Sequence, residues 1–302
     1  MSKRFQLGCL LLIAALTTAV PQLAQTRPVA DDGKLRIIGI GAHPDDCDSR
    51  AGGTAAKYAA LGHHFKCLAL TNGDAGHQSE GGGALGKRRR AEAIEAGRRI
   101  GIQYEVLDNH DGELLPDLEV RRQVIRKIRE WNANIVMAPR PNDYHPDHRY
   151  TGVLVQDAAY MVTVPNLVTD TPALRKNPVF FYFQDNFQRP NPFRPDVVVA
   201  IDDVIEKKIA MLDAHTSQMY EWLAWHAGEL ESIPKDPAAR KEWLRKGRFA
   251  RPVSGAAREA LKNWYGAQAD NIRYAEAFEL CEYGRQPSRD ELRTLFPFFP
   301  KR

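Results

Sequence analysis

Two short runs of this 302-residue chain gather groups able to hold a metal and move protons. The first is His43-Pro44-Asp45-Asp46, directly behind an apolar stretch at 35–40. The second is His145-Pro146-Asp147-His148, after another apolar stretch at 134–138. Catalytic zinc sites take three protein ligands from His and Asp/Glu and leave one position for water. His43, Asp46 and His148 supply such a set, and the metal would lower the pKa of water and polarise a carbonyl. Asp45 cannot point the same way as its neighbour Asp46, so it is free to take the proton of the activated water. His145 reaches the same cleft and, as an imidazolium, would stabilise or protonate the leaving side. Iron(II) is a rival to Zn2+, because two histidines and one carboxylate also define its facial triad. A plainer reading makes Asp45 and Asp46 an N-cap and first-turn pair, with one histidine in the core. Two such clusters behind two strands favour the metal site.

The surrounding pattern explains how they would meet. Strand-like runs at 35–40, 65–71, 103–107 and 134–138 alternate with helical runs at 51–61, 86–100, 117–131 and 150–162. Further strands are expected at 179–183, 197–201 and 274–283, a long helix over 202–224, and another over 254–265. This alternation predicts right-handed βαβ units: an α/β, Rossmann-like doubly wound, mostly parallel sheet with helices on both faces. Such sheets often set strand one beside strand four and open a crevice at their C-terminal ends, which would bring the two clusters together. The glycine-rich stretch 72–86 should hang over that crevice, but it carries neither a dinucleotide nor a P-loop fingerprint.

Gly41-Ala42-His43-Pro44-Asp45-Asp46 and Tyr144-His145-Pro146-Asp147-His148 resemble the paired motifs of the PIG-L/LmbE-like N-deacetylases. The resemblance extends over 35–220, with Thr71-Asn72-Gly73-Asp74, Arg89 and Glu92, Asp111-Gly112, and His215-Thr216-Ser217-Gln218. It implies zinc on His43, Asp46 and His148, Asp45 as general base, and His145 stabilising the oxyanion and assisting departure of the amine. It also implies substrate contacts from Arg89 and Asp111. Without the resemblance, Arg89 reads as a solvent-facing helix residue and Asp111 as a turn residue. One departure stands out: Cys47 occupies the place of the family's usual Glu, and Asp48 follows it. A carboxylate behind the metal has moved or been lost.

The implied reaction is removal of an N-acyl group, taken to be acetyl, from a small amino sugar or glycoconjugate. The alternatives are an inactive carbohydrate- or metal-binding protein of the same fold and a nucleotide-binding α/β protein. Retention of Asp45 and His145 argues against the first, and the missing glycine fingerprint against the second. Lys3 and Arg4 followed by a charge-free run at 7–20 read as a signal peptide over 1–24, implying a secreted or periplasmic protein; an uncleaved anchor is the other reading. Residues 33–226 are expected to form the catalytic domain and 227–302 an extension packed on it. Net charge is +4, and +2 once Lys3 and Arg4 are lost, too weak to imply nucleic acid. Of the four cysteines Cys9 lies in the signal, leaving Cys47, Cys67 and Cys281 without a CxxC pair. Cys67 reads as a core residue, Cys47 as packing behind the metal, and a Cys67–Cys281 bridge as permitted but not demanded.

Overall fold

In the computed structural model, which describes residues 32–250 and 252–300, β1 (Arg36–Gly41) runs between β2 (His64–Thr71) and β4 (Ile135–Ala138). It is parallel to both, with Ile37 opposite Phe65 on one side and Ile135 on the other. Ile37 packs into the core on one face of the sheet, Ile38 and Ile40 into the core on the other. Burial on both faces is why the run shows no polar alternation. Strands one and four are neighbours, as expected. β3 (Gln103–Asn109) extends the sheet beyond β2, and β5 (Val179–Phe183) beyond β4, giving the order β3-β2-β1-β4-β5-β7-β6. β6 (Val197–Ala200) and β7 (Ala275–Leu280) complete it, and β7 is antiparallel to both neighbours. The last third of the chain therefore places a strand inside the sheet.

α1 (Asp46–Ala60) and α2 (Gly82–Ile100) cover one face; α3 (Leu118–Trp131) and α4 (Pro146–Met161) cover the other. Both helices that carry the chemistry begin earlier than expected, and the motifs form their first turns. In α1, Asp46 and Asp48 lie where the positive end of the helix dipole favours carboxylates. In α4, Pro146 takes the first helical position and His145 caps, its Nδ1 accepting the Asp147 N–H at 3.2 Å.

The expected long helix over 202–224 is interrupted. α5 (Ile205–Ala214) ends at His215, a π-helical turn spans Ser217–Trp222, and α6 (Leu223–His226) follows. Tertiary bonds explain the break: His215 Nε2 is 2.9 Å from Asp48 Oδ1, and Glu92 accepts from the Ser217 N–H and hydroxyl. α7 (Pro237–Lys246), α8 (Gly255–Tyr265) and α9 (Arg289–Leu295) complete the helices, and the tail ring of Phe296 is fully buried against Tyr58, Phe181 and Phe278.

β7 also reaches into α1. Glu276 accepts the N–H groups of Gly53 and Thr54 at 2.9 and 2.7 Å. Lys208 of α5 donates to Glu276 at 2.7 Å and to the Ser49 carbonyl at 2.8 Å. The backbone of α1 between Ser49 and Thr54 is thus bonded by side chains from α5 and β7.

The cysteines differ from expectation. Cys47 of α1 is disulfide-bonded to Cys67 of β2, and Cys281 is free and buried, its Sγ 3.1 Å from the Tyr182 hydroxyl. The permitted Cys67–Cys281 bridge is thus replaced. Position along the chain carried no hint, because parallel pairing of β1 with β2 is what brings the start of α1 against β2. Among the described residues no helix is long and apolar enough to cross a membrane. The expected signal peptide and Cys9 lie outside the described residues.

Candidate metal centre and active site

Gly41 ends β1, and a Cβ there would come within 2.6 Å of Asp46 Cβ, so glycine lets the chain fold back tightly. In that turn Asp46 Oδ2 accepts the N–H groups of Ala42 and His43, both at 2.9 Å, which fixes the carboxylate. Its other oxygen, Oδ1, is turned to His148 Nε2 at 3.3 Å. His43 Nδ1 lies 3.2 Å from the same His148 nitrogen and 3.6 Å from Asp46 Oδ2. The three expected ligands therefore converge from the turn after β1 and from the first turns of α1 and α4. Tetrahedral bonds of about 2.0–2.1 Å put ligand atoms about 3.3 Å apart, close to the distances of His43 Nδ1 and Asp46 Oδ1 from His148 Nε2.

The outer nitrogens show why a cation fits. His148 Nδ1 pairs with Asp143 Oδ1 at 3.0 Å. His43 Nε2 faces Asp111 Oδ1 at 3.0 Å and Asp147 Oδ2 at 3.3 Å, off the N–H axis, as ion-pair contacts. With each outer nitrogen turned to carboxylates, the inner lone pairs face each other, an arrangement suited to a shared cation. Without one, the surrounding carboxylates favour the protonated rings. Burial alone would lower His148, but Asp46 and Asp143 raise it to about 9. Burial likewise opposes protonation of His43, and Asp111, Asp147 and Asp46 hold it well above its ordinary value. Asp46 is held well below the carboxylate range, the two imidazoles outweighing burial.

His43, Asp111 and Asp147 form a second possible ligand trio on the far side of the ring. It is the poorer one: Asp147 Oδ2 already accepts the Gly112 N–H at 2.7 Å, and Asp111 Oδ2 meets Arg89 at 3.3 Å. A third trio, His77, Glu80 and Glu221, is bridged by the Arg88 guanidinium, which occupies the place a cation would need.

Asp45 sits at the N-cap position of α1 but makes no capping bond. Its carboxylate instead lies toward Arg89 Nη2 at 3.6 Å. The plain N-cap reading therefore fails for this residue. Burial raises its pKa, Arg89 opposes that, and Asp46 adds to it, a shift in the direction a general base near neutrality requires.

Arg89 is 2% exposed and not a solvent-facing helix residue. It bridges Asp45, Asp111 and the Gly73 carbonyl, the last at 3.0 Å. Gly73 has φ 73°, and a Cβ there would meet Arg89 at 2.4 Å. The glycines of the loop after β2 thus let the backbone lie on Arg89. Asp111 is pulled down to about 2: burial opposes this, and His43 and Arg89 outweigh it. Both residues expected to touch substrate lie at the centre, but in this state they are occupied with the ring of His43 and with Asp45.

His145 joins His43 and His148 in one cluster of nitrogens. Because its Nδ1 accepts the Asp147 N–H, its proton belongs on Nε2. Burial, then His43 and His148, hold it below its ordinary value. That shift favours a neutral imidazole with an Nε2–H donor over the expected imidazolium.

Sequence reasoning missed Asp143 and Asp147 as orienting carboxylates, although both stand within or beside the second motif. Asp48 follows Cys47 in α1. It is fully buried and binds His215 Nε2 and the Tyr104 hydroxyl, at 2.9 and 2.7 Å.

Residues 38–159 match the family model for PIG-L, GlcNAc-PI de-N-acetylase. A diacetylchitobiose deacetylase of Thermococcus kodakarensis is 32% identical over 63% of this chain and 73% of its own. The solved N,N'-diacetylchitobiose deacetylase of Pyrococcus horikoshii, 25% identical, superposes with a TM-score of 0.61 over 89% of this chain and 92% of its own. A 4-oxalmesaconate hydratase of Pseudomonas putida is 24% identical over 68% of this chain and 81% of its own. Likeness is greater to the deacetylase than to the hydratase. The chain belongs to the PIG-L family, and it is an enzyme that hydrolyses amide bonds.

Proposed function

We propose that this protein is a zinc-dependent hydrolase that removes an N-acyl group, acetyl, from an amino-sugar-like substrate. The observation that carries the reading is the Asp45 carboxylate, left uncapped beside the converged nitrogens of His43 and His148. His43, Asp46 and His148 would hold the metal. A bound divalent cation supplies Lewis acidity there, acidifying water and polarising the amide carbonyl. Asp45 takes the proton of the attacking water and passes it to the departing amine. The His145 Nε2–H donates to the oxygen that gains charge as the carbonyl becomes tetrahedral. Arg89 holds Asp45 in place, and Asp111 and Asp147 hold the ring of His43.

The two-histidine, one-carboxylate set also suits iron(II), so metal identity is part of the test. Export is supported by the apolar N-terminal pattern and by the Cys47–Cys67 bond, which suits an oxidising compartment. The experiment is a panel of N-acetylated sugars incubated with purified protein, scored for free amine and acetate, before and after chelation and with zinc or iron(II) restored. Release that stops with chelator and returns with zinc is expected. Release indifferent to chelator removes the metal from the reading; absence of amine from every sugar removes the substrate class.

A further inference from the structure

β1, β4 and β5 are neighbours and parallel, so their C-terminal ends share one edge of the sheet. Ligands of such sheets gather at that edge. There Asp46 and His148, two of the three expected metal ligands, line a cleft of about 20 Å³. Neither Asp45 nor Arg89 lines it, so it borders the metal ligands rather than the expected base. A volume of that size holds about one water. A small group such as a carboxylate enters it, and a sugar ring does not. Arg50 of α1 also lines the cleft, and its Nη1 donates to the Gln184 carbonyl, just past β5, at 2.9 Å. The other charged groups of the lining are spent on one another. Asp185 pairs with Arg140 through both oxygens, at 2.7 and 2.5 Å. Asp143 faces His148 Nδ1 at 3.0 Å, and Asp46 is held by two backbone N–H groups. Arg50 has its one bond to a carbonyl and forms no ion pair among the described residues. A guanidinium carries five N–H donors in a planar fork, which matches a carboxylate through two parallel bonds. Arg50 therefore has donors to spare, at the flank of the centre, in a space of carboxylate size.

We propose that Arg50 is a specificity-determining residue that binds a carboxylate of the substrate, seated beside the N-acyl group being removed. This rests on the amino-sugar reading above and narrows it to acidic substrates. The carboxylate belongs either to the sugar, as in a lactyl ether, or to the acyl group, as in a succinyl amide. Both present the same chemistry to Arg50.

The test uses three substrates: neutral N-acetylglucosamine, N-acetylmuramic acid with its acid on the sugar, and N-succinylglucosamine with its acid on the acyl group. The wild type is expected to favour one of the two acids over the neutral sugar in kcat/KM by about 10–100-fold. Which acid is favoured names the source of the carboxylate. Arg50→Gln should erase the preference, and Arg50→Lys, which keeps the charge without the fork, should restore part of it. The preference is a ratio measured on one protein, so a loss of folded material cancels from it. A wild type indifferent to both acids overturns the proposal and leaves the amidase reading standing. So does an Arg50→Gln protein that keeps the preference, since the acid is then held by another group. The same three compounds are also titrated calorimetrically on Asp45→Asn protein with and without Arg50→Gln, a readout free of turnover. Should none of them release amine, the amidase reading falls and the titration decides the subsite. Tighter binding of an acid that is lost with Arg50 supports it, and equal or absent binding of the acids overturns it.

Discussion

Two buried charged clusters hang on α1, and they are built on opposite terms. At its first turn stand His43, Asp46, Asp111, Asp147 and His148. Further along, Lys208 and Glu276 clasp the backbone between Ser49 and Thr54. In the second cluster every charged side chain has found hydrogen-bond partners. In and beside the first, His43 Nε2, Arg89 Nε and Asp147 Oδ1 are buried with none. Buried polar atoms are normally satisfied, and leaving one unpaired costs about 1–3 kcal/mol. The comparison teaches which cluster serves folding and which retains unused binding capacity. Lys208 and Glu276 are spent on holding β7 and α5 to the helix. On the proposed reading, the first turn keeps its capacity for a cation and a substrate.

If that contrast is right, the first cluster should fail in activity and the second in stability. The largest effect is expected for His43→Ala, Asp46→Ala and His148→Ala. Each removes one of three ligands, so metal content and amide hydrolysis should both be lost. Metal analysis decides it, and full occupancy in all three variants would sink the ligand set. Asp45→Asn keeps the shape and removes the basicity; turnover should fall about 10²–10⁴-fold with metal retained. Near-normal turnover at neutral pH would move the base elsewhere.

Glu276→Ala tests the other side. It strands the Lys208 ammonium and two helix N–H groups, so unfolding free energy should drop by about 3–5 kcal/mol. Denaturant titration measures it, and a loss below about 1 kcal/mol would deny the pair its structural role. The activity of the folded fraction should be unchanged.

A smaller effect follows from His148. In the metal-free protein its pKa is raised to about 9, against roughly 6.5 unfolded. The stabilisation, about 3 kcal/mol, is present below pH 6.5 and is lost as pH rises toward 9. A metal-loaded protein has already given up that proton, so its advantage over the chelated protein should widen across this window. Thermal melts at several pH values show it; a chelated protein that gains stability from pH 6.5 to 9 would contradict the assignment. The smallest change is Asp143→Asn, which weakens the hold on His148 Nδ1 and should lower metal affinity about 10–100-fold. Competition against a chelator of known affinity measures this, and unchanged affinity would make Asp143 incidental.

Much of this was legible in the chain. Metal chemistry demands particular residue types at short spacing, so His43, Asp45, Asp46, His145 and His148 stood out in two local runs. The βαβ rhythm then required the two strand ends to meet, because a right-handed crossover onto a parallel sheet leaves few other arrangements. Element starts were read late at α1, α2 and α4; Gly82 and Gly83 depress apparent helicity at the start of α2 and Pro146 at the start of α4, whereas packing and first-turn capping decide it.

Tertiary structure alone decided the partners. Asp48 and His215 are 167 positions apart, Glu276 and Gly53 223, and no local pattern links them. Cys47 meets Cys67 because β1 and β2 pair side by side, and spacing does not encode that. The long helix expected over 202–224 bends at His215 because bonds to Asp48 and Glu92 outweigh the continuing helical propensity. The chain by itself determined which groups could bind a metal and transfer a proton, since that is a property of residue type. Which carboxylates orient them, and which histidine nitrogen faces inward, followed only from the fold, since orientation depends on neighbours distant in the sequence.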